Sequence, residues 1–256
     1  MIKQIWLKEI KSELYTWKST VWLLIASLLF SFTSYLLLTN KELSLLDQTE
    51  LLWLLSKIII GVALLIVAID ASSSVNAEFE KETSETLFLS PMSLKDFLAG
   101  KFLAALTLWA AVFIIAVPYI VVASSGTNLV WAFLFFTALL GTLGMVGFIS
   151  VIFAVSLLYR SMKNTLTTSL VLLLVFSVPS LFSTTLKNNQ IAMWFAQVNP
   201  VDNIFSSLDN VLVDYHTSVI QNFNYIFPLL VFCAVGFGAL YLASGQFKKQ
   251  GIIKSN

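Results

Sequence analysis

The chain has 256 residues, of which 58% are hydrophobic and only 11% charged, with a mean hydropathy of +0.87. Soluble domains run at roughly 45–50% apolar and about 25% charged residues, so a water-soluble globule is excluded and lipid is the solvent that fits this balance. Cys233 is the only cysteine, which excludes a disulfide scaffold and a cysteine-based metal site, and a net charge of +1 says nothing about partners until it is divided by membrane side.

Residues 1–19 place Ile2, Trp6, Ile10, Leu14 and Trp17 at helical spacing, with Lys3, Lys8, Lys11, Glu13 and Lys18 on other faces. This pattern predicts an amphipathic helix on the inner leaflet. The apolar run after it is too long for a signal peptide and lacks a small-residue cleavage pattern. Six runs of the ~20 apolar residues needed to cross a bilayer follow: approximately Thr20–Leu38, Leu51–Ser73, Phe102–Ala123, Leu129–Leu158, Thr165–Leu186 and Tyr225–Ser244. None alternates as a barrel strand would, and lipid leaves no partner for an open backbone, so the expected fold class is an all-α polytopic bundle. The fourth run is long enough to require tilt or projection beyond the membrane. With the N-terminus inside, twelve of the fifteen basic residues fall in inner segments, against Lys41 and Lys187 outside and Lys57 in the second run. The positive-inside rule therefore puts both termini in the cytosol.

Ionisable groups within a span are functional candidates. The second run carries Lys57 and Asp70, 13 positions and ~20 Å apart, too far to pair with each other. Each either snorkels to nearby headgroups or lines a translocation path. The inner segment 76–101 follows, with Glu78, Glu82 and Glu85 on nearby turns, the apolar patch Leu87-Phe88-Leu89, a helix stop at Pro91, and Ser93 placed to cap the next helix. Its spacing fits a short cytosolic helix parallel to the membrane, and equally a solvated connector. In the fourth run Ala138, Gly141, Gly144, Gly147 and Ser150 recur every third residue, a stripe suited to close helix packing. The outer segment 187–224 is long for a passive connector. The pair Asn199-Pro200 divides it into two short helices, the second with an apolar face of Ile204, Phe205, Leu208 and Leu212. Those helices dip partway into the outer leaflet, either as an outer gate centred on Phe205 and Leu208 or as a cap without a gating role. His216 stands without a second ligand type nearby and is expected to be a surface histidine.

The catalytic inventory is nearly empty. One outer histidine and one thiol in an apolar run cannot assemble a triad or a thiol nucleophile inside the membrane. There is no His-Glu-x-x-His or Gly-x-Ser-x-Gly, and no Gly-x-x-x-x-Gly-Lys-[Ser/Thr] loop to cradle ATP phosphates. The chain is therefore not expected to be an enzyme and to hold no cofactor or metal.

The pattern Glu82-Thr83, Glu85, Leu87, then Ser90-Pro91-Met92-Ser93, then Gly100-Lys101-Phe102 resembles the permease subunits of ABC type-2 transporters. Family members often have Gly before the Thr and Arg after the Pro-x-Ser, where Glu82 and Lys95 stand here. The resemblance implies that the 76–101 segment is the contact for a cytosolic ATPase subunit, with Glu82, Thr83, Glu85, Leu87, Phe88 and Pro91 at the interface and ATP and Mg held by that partner. It also implies a second permease copy or homologue, a plasma-membrane location, and export of an amphipathic or apolar cargo such as a peptide, lipid or drug; no nucleic acid is involved. The alternatives are an ion-coupled secondary carrier using Asp70 or Lys57, and a membrane anchor without transport. A carrier should show interrupted helices at corresponding places of two repeats. Pro118, Pro179 and Pro228, in the third, fifth and sixth runs, match that only in part.

Overall fold

In the computed structural model the chain is described at Trp6, Ile10, Lys11 and over residues 17–39, 48–80, 93–181 and 190–249. All regular structure among the described residues is helical: α1 (Trp17–Thr39), α2 (Gln48–Glu80), α3 (Leu94–Ala123), α4 (Val130–Tyr159), α5 (Met162–Leu181), α6 (Gln190–Val198), α7 (Pro200–Leu212) and α8 (Phe223–Lys249). Helices α1 to α5 and α8 are each long and apolar enough to cross a membrane. The chain is thus an all-α, six-span membrane protein, as the runs of hydropathy predict. The expected interfacial helix over residues 1–19 falls almost wholly outside the described residues.

The boundaries differ from the hydropathy runs in an instructive way. Helix α2 has 33 residues and α3 and α4 have 30 each, or about 45–50 Å at 1.5 Å per residue, well beyond a hydrocarbon core of ~30 Å. The second span was expected to end at Ser73 and the third to begin at Phe102; the helices instead run on to Glu80 and start at Leu94. A hydropathy run stops where lipid stops, whereas the backbone ladder continues into water as long as the side chains allow it. Of the inner segment expected over 76–101, the helices thus take in residues 76–80 and 94–101, and residues 81–92 lie outside the described residues.

Capping groups explain where the helices stop. The Ser93 hydroxyl accepts the Asp96 backbone N–H at 3.1 Å and donates to the Asp96 carboxylate at 2.8 Å, a reciprocal cap that starts α3. Arg160 ends α4 in the left-handed region at φ 52°, its N–H returning to the Ser156 carbonyl. Its guanidinium lies 4.9 Å from the Phe247 ring, which fastens the end of α4 to the end of α8.

Helices α2 and α4 form the centre: α4 contacts α2, α3, α5, α7 and α8, and α2 contacts α1, α3, α4, α5 and α7. The small-residue stripe of α4 makes this close approach possible. A Cβ on Gly141 would stand 2.5 Å from the Trp109 ring, on Gly144 2.7 Å from Ile204, and on Gly147 2.3 Å from the Phe232 ring. Three different partners, α3, α7 and α8, thus seat on one face of α4. Trp109 adds a hydrogen bond from Nε1 to Thr142 Oγ1 at 3.0 Å, and the Cys233 thiol, buried at the same seam, donates to the Leu143 carbonyl at 3.1 Å. By contrast, α1 turns Leu24, Leu28, Phe32 and Tyr35 outward, and α8 does so with Phe227, Val235 and Tyr241. Such surfaces are stable only against lipid or another apolar partner.

Candidate functional site

Three groups of side chains were expected to carry function. Of the first, Glu82, Thr83, Glu85, Leu87, Phe88 and Pro91 lie outside the described residues. The helix ends on either side of them are described and are tied firmly into the bundle. Lys101, 3% exposed, places its ammonium 3.6 Å from the Glu78 carboxylate and 5.2 Å from the Phe97 ring. Asn76 donates from Nδ2 to Thr165 Oγ1 at 2.7 Å and approaches the Ser161 carbonyl at 3.4 Å. Glu80 accepts the Met162 N–H at 2.7 Å, which puts a carboxylate on the positive end of α5. The last turns of α2 are thereby bonded to the first turns of both α3 and α5. Sequence periodicity could not have revealed this junction, because its partners are 23 to 89 positions apart.

Within the second span, Lys57 and Asp70 stay apart, as their spacing requires, and both turn into the protein. The Lys57 ammonium sits 3.3 Å from the centroid of the Trp53 ring and 5.6 Å from that of Phe205, a cation–π arrangement at the contact between α2 and α7. Trp53 also donates from Nε1 to the Phe205 carbonyl at 3.0 Å. These contacts tie Lys57 to both α2 and α7. Asp70 lies in the C-terminal half of α2 and is only 6% exposed.

The segment after α5 folds as two helices that meet at Asn199. Asn199 caps α7, its Oδ1 accepting the Val201 and Asp202 N–H groups at 3.0 and 3.4 Å, while its Nδ2 donates to the Phe176 carbonyl of α5 at 2.8 Å. Asn203 donates to the Gln197 and Asn199 carbonyls at 2.9 and 2.8 Å and so closes the end of α6. Pro200 occupies the first helical position, where its missing N–H costs nothing. Ile204 rests on Gly144, the fifteenth of the 30 residues of α4, so α7 packs against the middle of that helix. At the opposite end of α7, Ser207 and Asn210 bond Asn222, which donates in turn to the His216 and Ser218 carbonyls. The expected apolar face is buried: Ile204, Leu208 and Leu212 are fully covered and Phe205 is 8% exposed. His216 is exposed and pairs through Nδ1 with Asn210.

Two cavities flank α7. The smaller, about 230 Å³, is lined by Glu50, Trp53, Leu54, Asp209 and Val213. Asp209 lies at the outer end of α7, beyond the spans, where burial and then the Asp214 charge push its carboxyl above the usual carboxylate range; Lys57 opposes this and Glu50 adds to it. The folded state therefore holds the Asp209 proton to higher pH than the unfolded chain does, so this group favours the docked state at low pH and loses that contribution as pH rises through its raised value. Asp209→Asn is expected to unfold at a higher temperature than the parent at about pH 7, with the gap closing as pH falls from the raised value of Asp209 toward its ordinary value of 3.8. Thermal unfolding in detergent micelles across that range checks it, and a gap independent of pH refutes it. The larger cavity, about 520 Å³, lies between α6, α7 and the outer turns of α8, with Asp202, Asn203, Ser206, Asn224 and Tyr225 among its walls.

Residues 4–251 match the family described as ABC-2 family transporter protein. No curated protein matches the chain. The match runs through all six spans and the segments between them. The chain therefore belongs to the ABC-2 family of transporter proteins and is a membrane-spanning permease component of an ABC transporter, a multi-pass protein whose part in transport is not catalytic.

Proposed function

We propose that this permease exports an amphipathic or apolar cargo across the plasma membrane, driven by a separate cytosolic ATPase that docks on residues 81–92 and holds the ATP and Mg. Two permease copies, or this chain and a homologue, enclose the path, and both termini face the cytosol, as the distribution of basic residues favours. The observation that carries the reading is the junction at the cytosolic ends of α2, α3 and α5. Lys101 with Glu78, Asn76 with Thr165, and Glu80 with the Met162 N–H join three spans immediately beside the docking segment. A push on that segment from closing ATPase subunits is then delivered to three helices at once. At the far end, α7 is the mobile closure, held by Lys57, Trp53 and the buried Phe205 and Leu208. Spans with few charges suit a cargo that is itself largely apolar.

The test is affinity purification of the full chain from its native membrane. An ATPase carrying a Gly-x-x-x-x-Gly-Lys-[Ser/Thr] loop is expected to accompany it in roughly equimolar amount. Recovery of the permease without any such subunit under gentle solubilisation would refute the reading in favour of a carrier or anchor.

A further inference from the structure

Between α3 and α8, which both pack on α4, lies a third cavity of about 690 Å³, a groove walled by apolar side chains such as Leu98, Phe102, Phe237 and Leu240. The Phe102 and Phe237 rings meet across it at 5.7 Å between centroids, and Phe102 also packs edge-on against Phe153 of α4 at 6.2 Å. Seven residues back along α3 stands Lys95, and seven residues on along α8 stands Ser244, both on the groove wall. The two helices therefore run in opposite directions here, and the groove extends from the ring contact to the start of α3 and the end of α8. Its length, ~10 Å at 1.5 Å per residue, is about two-thirds of one leaflet of a ~30 Å hydrocarbon core.

The charge of the groove is all at that end. Lys95 is exposed and is the one charged side chain among the described residues that line it. Position 248, one turn past Ser244 on the same stripe of α8, is also a lysine. The carboxylate next to Lys95 in sequence, that of Asp96, accepts the Ser93 hydroxyl at 2.8 Å, and the Glu78 carboxylate lies 3.6 Å from Lys101. Water covers walls this apolar only at a cost, so a soluble anion would leave most of the groove unsatisfied. A cargo path has to continue to the opposite face, whereas this groove stops at Phe102 and Phe237. A second copy seated here about a two-fold axis would bring the same lysines of both chains together, with like charges repelling.

We propose that this groove holds one anionic phospholipid, with an acyl chain lying along Leu98, Phe102 and Leu240 and the phosphate paired with Lys95. Charge and shape agree on that occupant. A basic mouth between two spans suits an anionic headgroup, and apolar walls that reach most of the way through one leaflet suit the chain below it. A zwitterionic lipid offers the same chains but carries its own cation beside the phosphate, which opposes Lys95. The cytosolic leaflet follows from the orientation proposed above; the binding itself rests on neither that orientation nor the permease reading.

The experiment uses the full chain, purified in a mild detergent without any ATPase and titrated with phosphatidylglycerol or phosphatidylcholine of identical chains, bound lipid being counted by native mass spectrometry. One phosphatidylglycerol is expected to be retained at saturation, preferred over phosphatidylcholine by about fivefold or more. Lys95→Gln should remove that preference. Leu103→Trp adds bulk at an exposed position of the groove wall and should weaken retention of both lipids several-fold with every charge in place. Equal retention of the two lipids by the parent, or a Lys95→Gln variant that keeps the parent's preference, would overturn the proposal. So would a Leu103→Trp variant that retains lipid as the parent does; if that variant also turns a dimer into a monomer, a second copy covers the groove instead. Should Leu103→Trp fail to fold, Leu103→Phe applies the same test with a smaller change, and unchanged retention again overturns the proposal. Absence of binding would leave the permease reading intact, just as absence of a co-purifying ATPase would leave the binding result intact.

Discussion

Replacing Glu85 by Lys and Phe88 by Asp together is expected to abolish transport and detach the ATPase while leaving the six-span bundle in the membrane. The reasoning starts from the flanking helices. Both ends of the docking segment are anchored by bonds it does not itself make, through Glu78 and Glu80 at the end of α2 and through Ser93, Asp96 and Lys101 at the start of α3. Charge reversal and loss of an apolar group inside residues 81–92 should therefore leave those anchors formed. At an interface the two changes act at once. A buried aromatic anchor is commonly worth 2 kcal/mol or more, and reversal of a paired charge costs several more. Together these exceed about 4 kcal/mol, or roughly a thousandfold in affinity at 1.4 kcal/mol per factor of ten. The measurement is co-purification of the ATPase and ATP-dependent transport, each normalised to folded permease. Full transport with full recovery of the complex would show that this segment is not the interface. A parallel variant, Lys101→Met, separates docking from delivery: the ATPase should still bind, but transport per ATP hydrolysed should fall, because Glu78 loses the ammonium that joins α2 to α3.

How much of this architecture was legible in the sequence follows from the range of the forces involved. Span number follows from hydropathy summed over ~20 residues, a local quantity. The reciprocal cap at Ser93 and the break at Asn199-Pro200 were legible for the same reason, since a cap reads only its own next few residues. The stripe of small residues on α4 was legible as a packing face, and Gly141, Gly144 and Gly147 do meet Trp109, Ile204 and Phe232. Which helix each glycine would meet was not, because the choice is made by tertiary packing across long sequence separations. Lys57 shows the same limit. Its ring partners are Trp53, one turn away, and Phe205, 148 positions on, and spacing along the chain could show only the first. The helices run past the apolar runs at Ser73 and Phe102 because polar residues such as Glu78 and Lys95 lower hydropathy without breaking the backbone ladder.

Substituting Ser for both Phe205 and Leu208 is expected to make the permease leak. These side chains are buried at the face where α7 meets the bundle, Leu208 completely and Phe205 at 8% exposure. Truncating a buried Leu or Phe commonly costs 2–5 kcal/mol, and the hydroxyl introduced adds a polar group to an apolar contact. If only about 1.4 kcal/mol of that falls on the docked state relative to the open one, the open population rises about tenfold. Assembly should survive, because α7 keeps bonds that do not pass through these side chains: Asn199 to Phe176, Ser207 and Asn210 to Asn222, and Trp53 to the Phe205 backbone carbonyl. The Lys57 contact is the exception, since its more distant ring partner is removed while Trp53 remains. ATP turnover should continue in proteoliposomes containing the complete complex, while cargo crosses without turnover or turnover loses its response to cargo. A simple cap predicts otherwise: lower yield of folded protein, with transport per ATP unchanged in what remains. Measuring both activities on the same preparation, normalised to folded protein, decides between them, and Leu208→Ala gives a milder test in which the leak should be smaller but present. Tight coupling in both variants would remove α7 from the transport path and leave it a structural lid over α2 and α4.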